Sequence, residues 1–566
     1  MDFKKSLANF IKDVLELELE EVLESMEIPP DKDLGDFAFV CFRLAKALKK
    51  NPSVIALEIK ESLEKQQIFF LREIKVQGAY INFYIKEEIF AKEVLTEALE
   101  KGKDYGKDTI GSGKNVVIDY SSPNIAKPFH VGHLRSTMIG AALYKIYGFL
   151  GYNTIGINHL GDWGTQFGKL IVAYEEWGTK ETIEKEGIHE LNRLYVKFHA
   201  EAESDSSLEE RARAYMLKMQ EGDAKTLSIW QFFYDISMEE FNKIYDRLGV
   251  KLDYNTGESF YNDKMEPVLK ELTDKGLLEE SEGAKIVSLE EFKLPPCMIL
   301  RSDGGSLYHT RDLAAATYRY NTFNFDKALY VTATDQSLHF TQLFKVLGKM
   351  GYEFSKNMTH VPFGLVSLET GKLSTRKGNV VLMESLLDEA ENKVLDIIKE
   401  KNPNLENKEE VAKKIGIGAI VFNDLYNSRI KDVVFSWSHM LNFDGETGPY
   451  VQYTHARACS LLEKSGITDF DNVDFSLLTD SSSINLVRLV YFFKDKIHEA
   501  AMKNEPFVIT RHVVDIAQSF NRFYHNNQVL VEDIELKRAR LALTYVCKNI
   551  IKSGFWLIGI DTPTKM

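Results

Sequence analysis

The chain has 566 residues, 44% of them hydrophobic and 27% charged, with a formal net charge of −14. That length exceeds what one hydrophobic core serves, so two to four domains are expected, and the ordinary composition excludes a disordered chain. The acidic balance excludes a protein that coats nucleic acid indiscriminately, because phosphates need lysine and arginine nearby, while leaving room for local basic surfaces.

From the N-terminus, residues 6–28 place Leu7, Phe10, Ile11, Val14, Leu15, Val22 and Leu23 near the 3.6-residue period, predicting an amphipathic helix closed by Pro29 and Pro30. Helices are predicted around 38–50 and 54–64, followed by a strand at Tyr80-Ile-Asn-Phe-Tyr-Ile85. The Gly-, Lys- and Asp-rich stretch 101–115 reads as a linker. The register then changes. Val116-Val-Ile118 is fully apolar, as a buried parallel strand requires. A loop at Ser121-Ser-Pro-Asn124 leads into a helix over 131–149, stopped by Gly151, and Thr154-Ile-Gly-Ile157 reads as the next strand. Strand, helix and strand at this spacing predict a βαβ unit. Residues 168–290 read as a charged helical insertion, strands are expected at 328–331 and 361–368, and from about Glu384 the pattern is nearly all helical.

The expected architecture is therefore multi-domain α/β: an α+β N-terminal domain, a Rossmann-type parallel-sheet core and an all-α C-terminal domain. The expected boundaries are 1–109, 110–395 with the insertion at about 168–290, a helical connecting segment 396–445, and 446–566. Asp2, Asp13, Glu16 and Glu18 interrupt every apolar run near the N-terminus, so no signal peptide is expected there, and no stretch has the length of a membrane span. Cys41, Cys297, Cys459 and Cys547 are scattered without a Cys-x-x-Cys pair, predicting reduced thiols and no zinc site.

The strongest chemical signal is His130-Val-Gly-His133, between a buried strand and the first turn of a helix, where a βαβ fold binds nucleotide phosphates. Imidazole donors there hold a triphosphate and bond more strongly as charge builds at the α-phosphate, and Gly132 lets a purine lie close to the backbone. A chain of this composition contains His-x-Gly-His by chance roughly 0.02 times. The plainer alternative is two surface histidines near a helix start. The second signal, Lys372-Leu-Ser-Thr-Arg-Lys-Gly378, is a basic loop after an apolar strand. Its lysines suit closure over a departing pyrophosphate, with a solvated basic loop as the alternative.

Together the two segments resemble the HIGH and KMSKS signatures of class I aminoacyl-tRNA synthetases. The segments Ser121-Ser-Pro-Asn-Ile-Ala-Lys-Pro-Phe-His-Val-Gly-His-Leu-Arg-Ser-Thr137, Asn158-His-Leu-Gly-Asp-Trp-Gly-Thr-Gln166, Leu307-Tyr-His-Thr-Arg-Asp-Leu-Ala314 and Tyr450-Val-Gln-Tyr-Thr-His-Ala-Arg457 are similar to the arginyl-tRNA synthetase family, as are Gly35-Asp36 and Asn51-Pro-Ser. The resemblance runs almost the whole chain. It implies activation of arginine by ATP to arginyl-adenylate, transfer to the terminal adenosine of arginine tRNA, and a need for Mg²⁺. It also implies that tRNA is required even for the first step. Other classes stay open at this point: a nucleotidyltransferase acting on a small metabolite, or a noncatalytic tRNA-binding relative. The chain is expected to act as a cytoplasmic monomer without membrane association.

The resemblance also implies residue roles. His130, His133, Lys127 and Lys372 would act in catalysis, and His130, Gly132, His133, Lys372, Ser374 and Lys377 would bind ATP. Asp119, Asn124 and His159 would hold the arginine backbone groups, with Gln336 nearby, and Tyr308 and Asp312 would grip the guanidinium. A guanidinium is planar, permanently charged and rich in donors, so a carboxylate in fixed geometry suits it, and positions four apart share a helix face. The alternative for that pair is a helix cap beside a half-buried phenol. Thr375 stands where the second signature lysine is usual. Lys127, just before the first signature, matches the lysine thought to substitute in arginyl enzymes, and Lys377 is its rival. Trp163 reads equally as a buried structural residue. Tyr450, Tyr453 and Arg457 are expected to contact tRNA, because aromatic faces stack on splayed bases, although their spacing also fits a core-facing stripe. The N-terminal domain resembles the one that contacts the corner of the tRNA.

Overall fold

The computed structural model describes all residues except 30, 303–304, 306, 369–370 and 373–380. The chain divides into two compact units. One comprises Met1–Tyr105, Arg457–Phe493 and Asp515–Ile551, and the other Gly106–Ala456, Lys494–Val514 and Lys552–Met566. The long helices Gly448–Ser465, Ser481–Lys503, Phe507–Asn526 and Ile534–Leu557 make the C-terminal part helical, and each has residues in both units.

In the first unit an antiparallel sheet runs Met26–Glu27, Phe37–Val40, Tyr80–Ile85, Leu71–Gln77. The helix predicted over 6–28 is two helices, Phe3–Leu15 and Leu19–Glu24, because Glu16 takes left-handed backbone (φ 52°) and ends the first. The helix predicted over 38–50 begins only at Phe42. Phe37–Val40 is a strand whose pairing with Tyr80–Phe83 buries Phe37 and Phe39 completely. An aromatic-rich run fits a pleated, buried surface better than the helical period of the residues around it. The helix Pro52–Glu64 starts where Asn51 accepts a hydrogen bond from the Ser53 N–H at 2.9 Å and proline occupies the first turn.

The second unit is built on a parallel sheet, five-stranded among the described residues, in the order Met358–His360, Lys327–Tyr330, Asn115–Asp119, Asn153–Asn158, Tyr254–Asn255. Asn115–Asp119, the helix Val131–Phe149 and Asn153–Asn158 form the predicted βαβ unit. The chain next adds Tyr254–Asn255 on one side, then crosses to the other side with Lys327–Tyr330. The strand order therefore reverses between Asn115–Asp119 and Lys327–Tyr330, the switch point at which open α/β sheets bind ligands.

The stretch 168–290 is not helical throughout. Helices fill it as far as Ala224–Leu248, but Tyr254–Asn255 joins the parallel sheet, and Glu279–Ser281, Ala284–Val287 and Cys297–Leu300 form a small antiparallel sheet. Strands this short fall below any periodicity window. The strand predicted over 361–368 is likewise divided. Met358–His360 closes the parallel sheet, whereas Val366–Leu368 lies between Gly371–Lys372 and Val433–Phe435 in a separate sheet, placing one strand in the region read as helical. Among the described residues no helix is long and apolar enough to cross a membrane.

Candidate active site

The first signature is carried by a strained loop. Ser121, Ser122 and Ala126 have left-handed backbone (φ 71°, 51° and 63°), a conformation that L residues avoid. Hydrogen bonds from neighbouring elements hold it there. The Ser121 N–H donates to Ser136 Oγ (2.9 Å), the Ser122 N–H to Asn158 Oδ1 (3.1 Å) and the Ala126 N–H to Ser237 Oγ (2.9 Å). Ser136 in turn donates to the Val331 carbonyl at 2.6 Å.

His130 caps the helix Val131–Phe149. Its Nδ1 accepts from the Gly132 N–H at 3.0 Å, while its own N–H donates to His133 Nδ1 at 3.2 Å, and the two rings stack 3.8 Å apart. With both Nδ1 atoms accepting, each neutral ring carries its proton on Nε2, a donor available to a phosphate. Burial and then the Lys127 charge depress the His130 pKa. Burial, His130 and Lys127 push His133 well below the usual range, so both rings are neutral at pH 7. A Cβ on residue 132 would lie 2.8 Å from the His130 ring, so this position requires glycine for the ring as much as for any purine. Lys127 Nζ sits 5.4 Å above the Tyr195 ring, and burial lowers its pKa. The backbone of Lys372 lies in a strand paired with Ser367–Leu368. Ser374, Thr375 and Lys377 fall outside the described residues.

Asp119, Asn124, His159, Tyr308, Asp312 and Gln336 all line one cavity of about 410 Å³ at the C-terminal edge of the parallel strands. Asp119 pairs with the buried Arg319 guanidinium at 2.8 Å and accepts from Ser122 Oγ at 3.0 Å. Asn124 bridges to Gly161, where a Cβ would come within 2.1 Å of Asn124 Oδ1. Tyr308 and Asp312 occupy the first two turns of the helix Tyr308–Phe323. Tyr308 is 68% exposed and makes no cap, which removes the half-buried phenol alternative. Asp312 meets His339 Nε2 at 2.6 Å and His159 Nε2 at 3.7 Å. Burial raises its pKa, but the His339 hydrogen bond and the charges of His339, His159 and Arg319 outweigh burial and leave it lowered.

The ionisable wall residues missed in the sequence include Arg319, Asp335, His339, which orients Asp312, and Glu258. Burial raises the Glu258 pKa to about 7. Arg311, 3.1 Å away, opposes the shift, and Asp312 and Asp162 add to it. No local pattern marked Glu258. It stands alone after Gly257, and only the edge strand Tyr254–Asn255 brings it to the cavity. With Asp119, Glu258, Asp312 and Asp335 against Arg319, carboxyl groups outnumber the guanidinium in the wall, an arrangement suited to a cation.

Residues 94–437 match the catalytic domain of the class I (R) tRNA synthetases, residues 451–566 the DALR anticodon binding domain, and residues 1–85 the arginyl tRNA synthetase N terminal domain. The chain is 53% identical to an arginine–tRNA ligase of Alkaliphilus metalliredigens and 51% identical to one of Halothermothrix orenii, each over the whole of both chains. The chain belongs to the arginyl-tRNA synthetases. The solved arginyl-tRNA synthetase of Thermus thermophilus superposes with a TM-score of 0.85 at 25% identity, covering all of both chains.

Of the three residues expected to meet tRNA, Tyr453 and Arg457 fall within the match to the DALR anticodon binding domain and Tyr450 immediately precedes it. Tyr450, Tyr453 and Arg457 lie on the helix Gly448–Ser465. Tyr453 is 42% exposed. Arg457 donates to Asn521 Oδ1 at 2.9 Å and stacks over Tyr524 at 5.3 Å, so it also ties its own domain together.

Proposed function

We propose that this arginyl-tRNA synthetase activates arginine with ATP to arginyl-adenylate and passes the arginyl group to the 3′-terminal adenosine of arginine tRNA, with the residues named above in the roles expected of them. The observation that carries the assignment is the convergence of six residues, drawn from four separate stretches of sequence, on one acidic cavity. Asp312 and Tyr308 take the guanidinium, with Glu258 adding negative charge. Asp119, Asn124 and His159 orient the α-amino and carboxylate groups, with Gln336 beside them. The carboxylate then attacks the α-phosphate, forming a P–O bond as the bond to pyrophosphate breaks. The Nε2–H groups of His130 and His133 donate to the oxygens that gain charge, and Lys127 and Lys372 neutralise the departing pyrophosphate. Mg²⁺ enters as part of the ATP substrate, held mainly by phosphate oxygens and water.

Transfer needs the terminal adenosine beside the arginine. A groove of about 1020 Å³ shares Glu258 and Tyr308 with the arginine cavity and is faced by Trp163, Trp230 and Phe260. Aromatic faces of this kind stack on unpaired bases. The enzyme acts in the cytoplasm as a monomer on this reading. Arginine-dependent pyrophosphate exchange, run with and without arginine tRNA and with lysine as control, tests it. Exchange with arginine and tRNA together is expected. Folded protein that neither exchanges nor charges competent tRNA would overturn it.

A further inference from the structure

Arg135 lies two residues past His133, and its side chain is wholly buried. Its Nε pairs with Asp424 Oδ1 at 3.0 Å, a carboxylate that is also wholly buried, on the helix Lys408–Leu425. Its Nη1 donates to two main-chain carbonyls, Lys431 at 2.6 Å and Gly364 at 3.1 Å. Each carbonyl stands two residues before a strand. Gly364 precedes Val366–Leu368 and Lys431 precedes Val433–Phe435, and these strands pair in parallel. Asp432 locks the same junction by accepting from the Leu365 N–H at 2.7 Å. Val366–Leu368 also pairs with Gly371–Lys372, so a strand clamped by Arg135 is the partner of the one that carries the Lys372 backbone.

The chain beyond residue 380 is fastened to the same place. The Val131 N–H donates to the Val381 carbonyl (3.2 Å), the Met383 N–H donates to the Phe129 carbonyl (2.9 Å), and His130 bridges Leu382. Described residues before and after the second signature are therefore tied to the helix that carries the first. Residues 381–383 are held there by backbone pairing, and Gly364 and Lys431 by the Arg135 guanidinium.

We infer that Arg135 is a positioning residue that fixes the strand pair beside the Lys372 backbone to the helix of His130 and His133 by clamping the carbonyls of Gly364 and Lys431. The inference rests on the roles proposed above for Lys372 and the histidines. Arginine is suited to the task because its planar fork spans a carboxylate and two carbonyls at fixed angles, which a lysine ammonium does not.

The test is pyrophosphate exchange by the full chain with its tRNA, normalised to active sites, in three variants. Arg135→Met with Asp424→Leu removes the clamp without leaving a buried charge unpaired. Gly364→Ala leaves the ion pair intact but places a Cβ 2.7 Å from the Lys431 carbonyl carbon and Asp432 Oδ1, displacing the junction from its other side. Arg135→Lys keeps the charge and loses the fork. The first two should lower kcat by about 10²-fold and raise the KM for ATP, since small misplacements of a reacting group cost this much. In the double variant the KM for arginine should stay within about twofold, because neither Arg135 nor Asp424 lines the cavity. Arg135→Lys should fall between them and the parent. A purely structural role would lower thermal stability and leave normal kinetics per active site, and that result in Gly364→Ala alone overturns the inference, whether or not the double variant folds. Lys372→Ala separates the two levels: if it is slow while the clamp variants are normal, only the clamp is wrong, and if it is normal, the role of Lys372 falls and the clamp with it.

Discussion

Lys127 faces two fates in this structure. Its Nζ lies over the Tyr195 ring, and its charge reaches both signature histidines, lowering their pKa. With Thr375 in place of the usual second loop lysine, Lys127 is a cation whose charge acts on both histidines. Lys127→Ala should slow adenylate formation by about 10²-fold, the usual cost of one lost transition-state donor. Rapid-quench measurement of the activation step checks this, and a near-normal rate would hand the role to Lys377. Glu258 makes a prediction about pH. Its folded-state pKa of about 7 is above the value of an exposed glutamate, so the native state binds more protons than the unfolded one between the two values. Stability from this group is present at low pH and lost as pH rises through about 7. Glu258→Gln should therefore raise the melting temperature at pH 8 and leave it unchanged near pH 4. The carboxylate must be ionised to help hold a guanidinium. The KM of the parent for arginine should thus rise as pH falls from 8 to 6, and Glu258→Gln should flatten that profile.

At the scale of elements, the loop 121–130 stores strain where the chemistry is expected. Its three left-handed non-glycine residues cost on the order of 1 kcal/mol each or more, offset by the hydroxyl and amide bonds from Ser136, Asn158 and Ser237. Gly161 supports the same loop by leaving space for Asn124. Gly161→Ala should push the Asn124 amide aside and raise the KM for arginine about tenfold, with the KM for ATP nearly unchanged. Steady-state exchange kinetics with each substrate varied in turn distinguish the two. Much at this scale was legible in the sequence. The helix Val131–Phe149 and the strands beside it follow from apolar runs and a terminating glycine. What was not legible were elements shorter than their own periodicity, such as Tyr254–Asn255, and the strand Phe37–Val40 at the start of the helix predicted around 38–50, where pairing with Tyr80–Phe83 overrides local preference.

For the molecule as a whole, the N-terminal domain and part of the anticodon-binding helices fold as one unit. Asp36, from the Gly35-Asp36 pair, accepts from the Ile85 N–H at 2.8 Å and pairs with Arg488 Nε at 2.7 Å. Phe3, Phe37 and Phe90 surround Tyr491 with ring centroids 5.3–6.0 Å away. Asp36→Asn keeps an acceptor for Ile85 and loses the charge. Because Arg488 is only partly buried, the cost should be about 1–2 kcal/mol, read as a lower denaturant midpoint. Gly35 (φ 100°), where a Cβ would lie 2.8 Å from the Phe83 carbonyl oxygen, shows why glycine precedes that aspartate.

The sequence by itself determined the family, the βαβ core and the chemical types at the site, because these rest on local order: a strand-to-helix turn with two histidines, a basic loop, and a Tyr–Asp pair one helical turn apart. The tertiary structure alone decided which distant groups share a space. Glu258 and His339 enter the cavity lined by Asp119 and Asp312, Arg319 pairs with Asp119, and Arg135 reaches across to Gly364, Lys431 and Asp424. The reason is physical. A side chain's pKa, partners and burial are set by residues brought near it through folding, often more than a hundred positions away, and no window along the chain contains them.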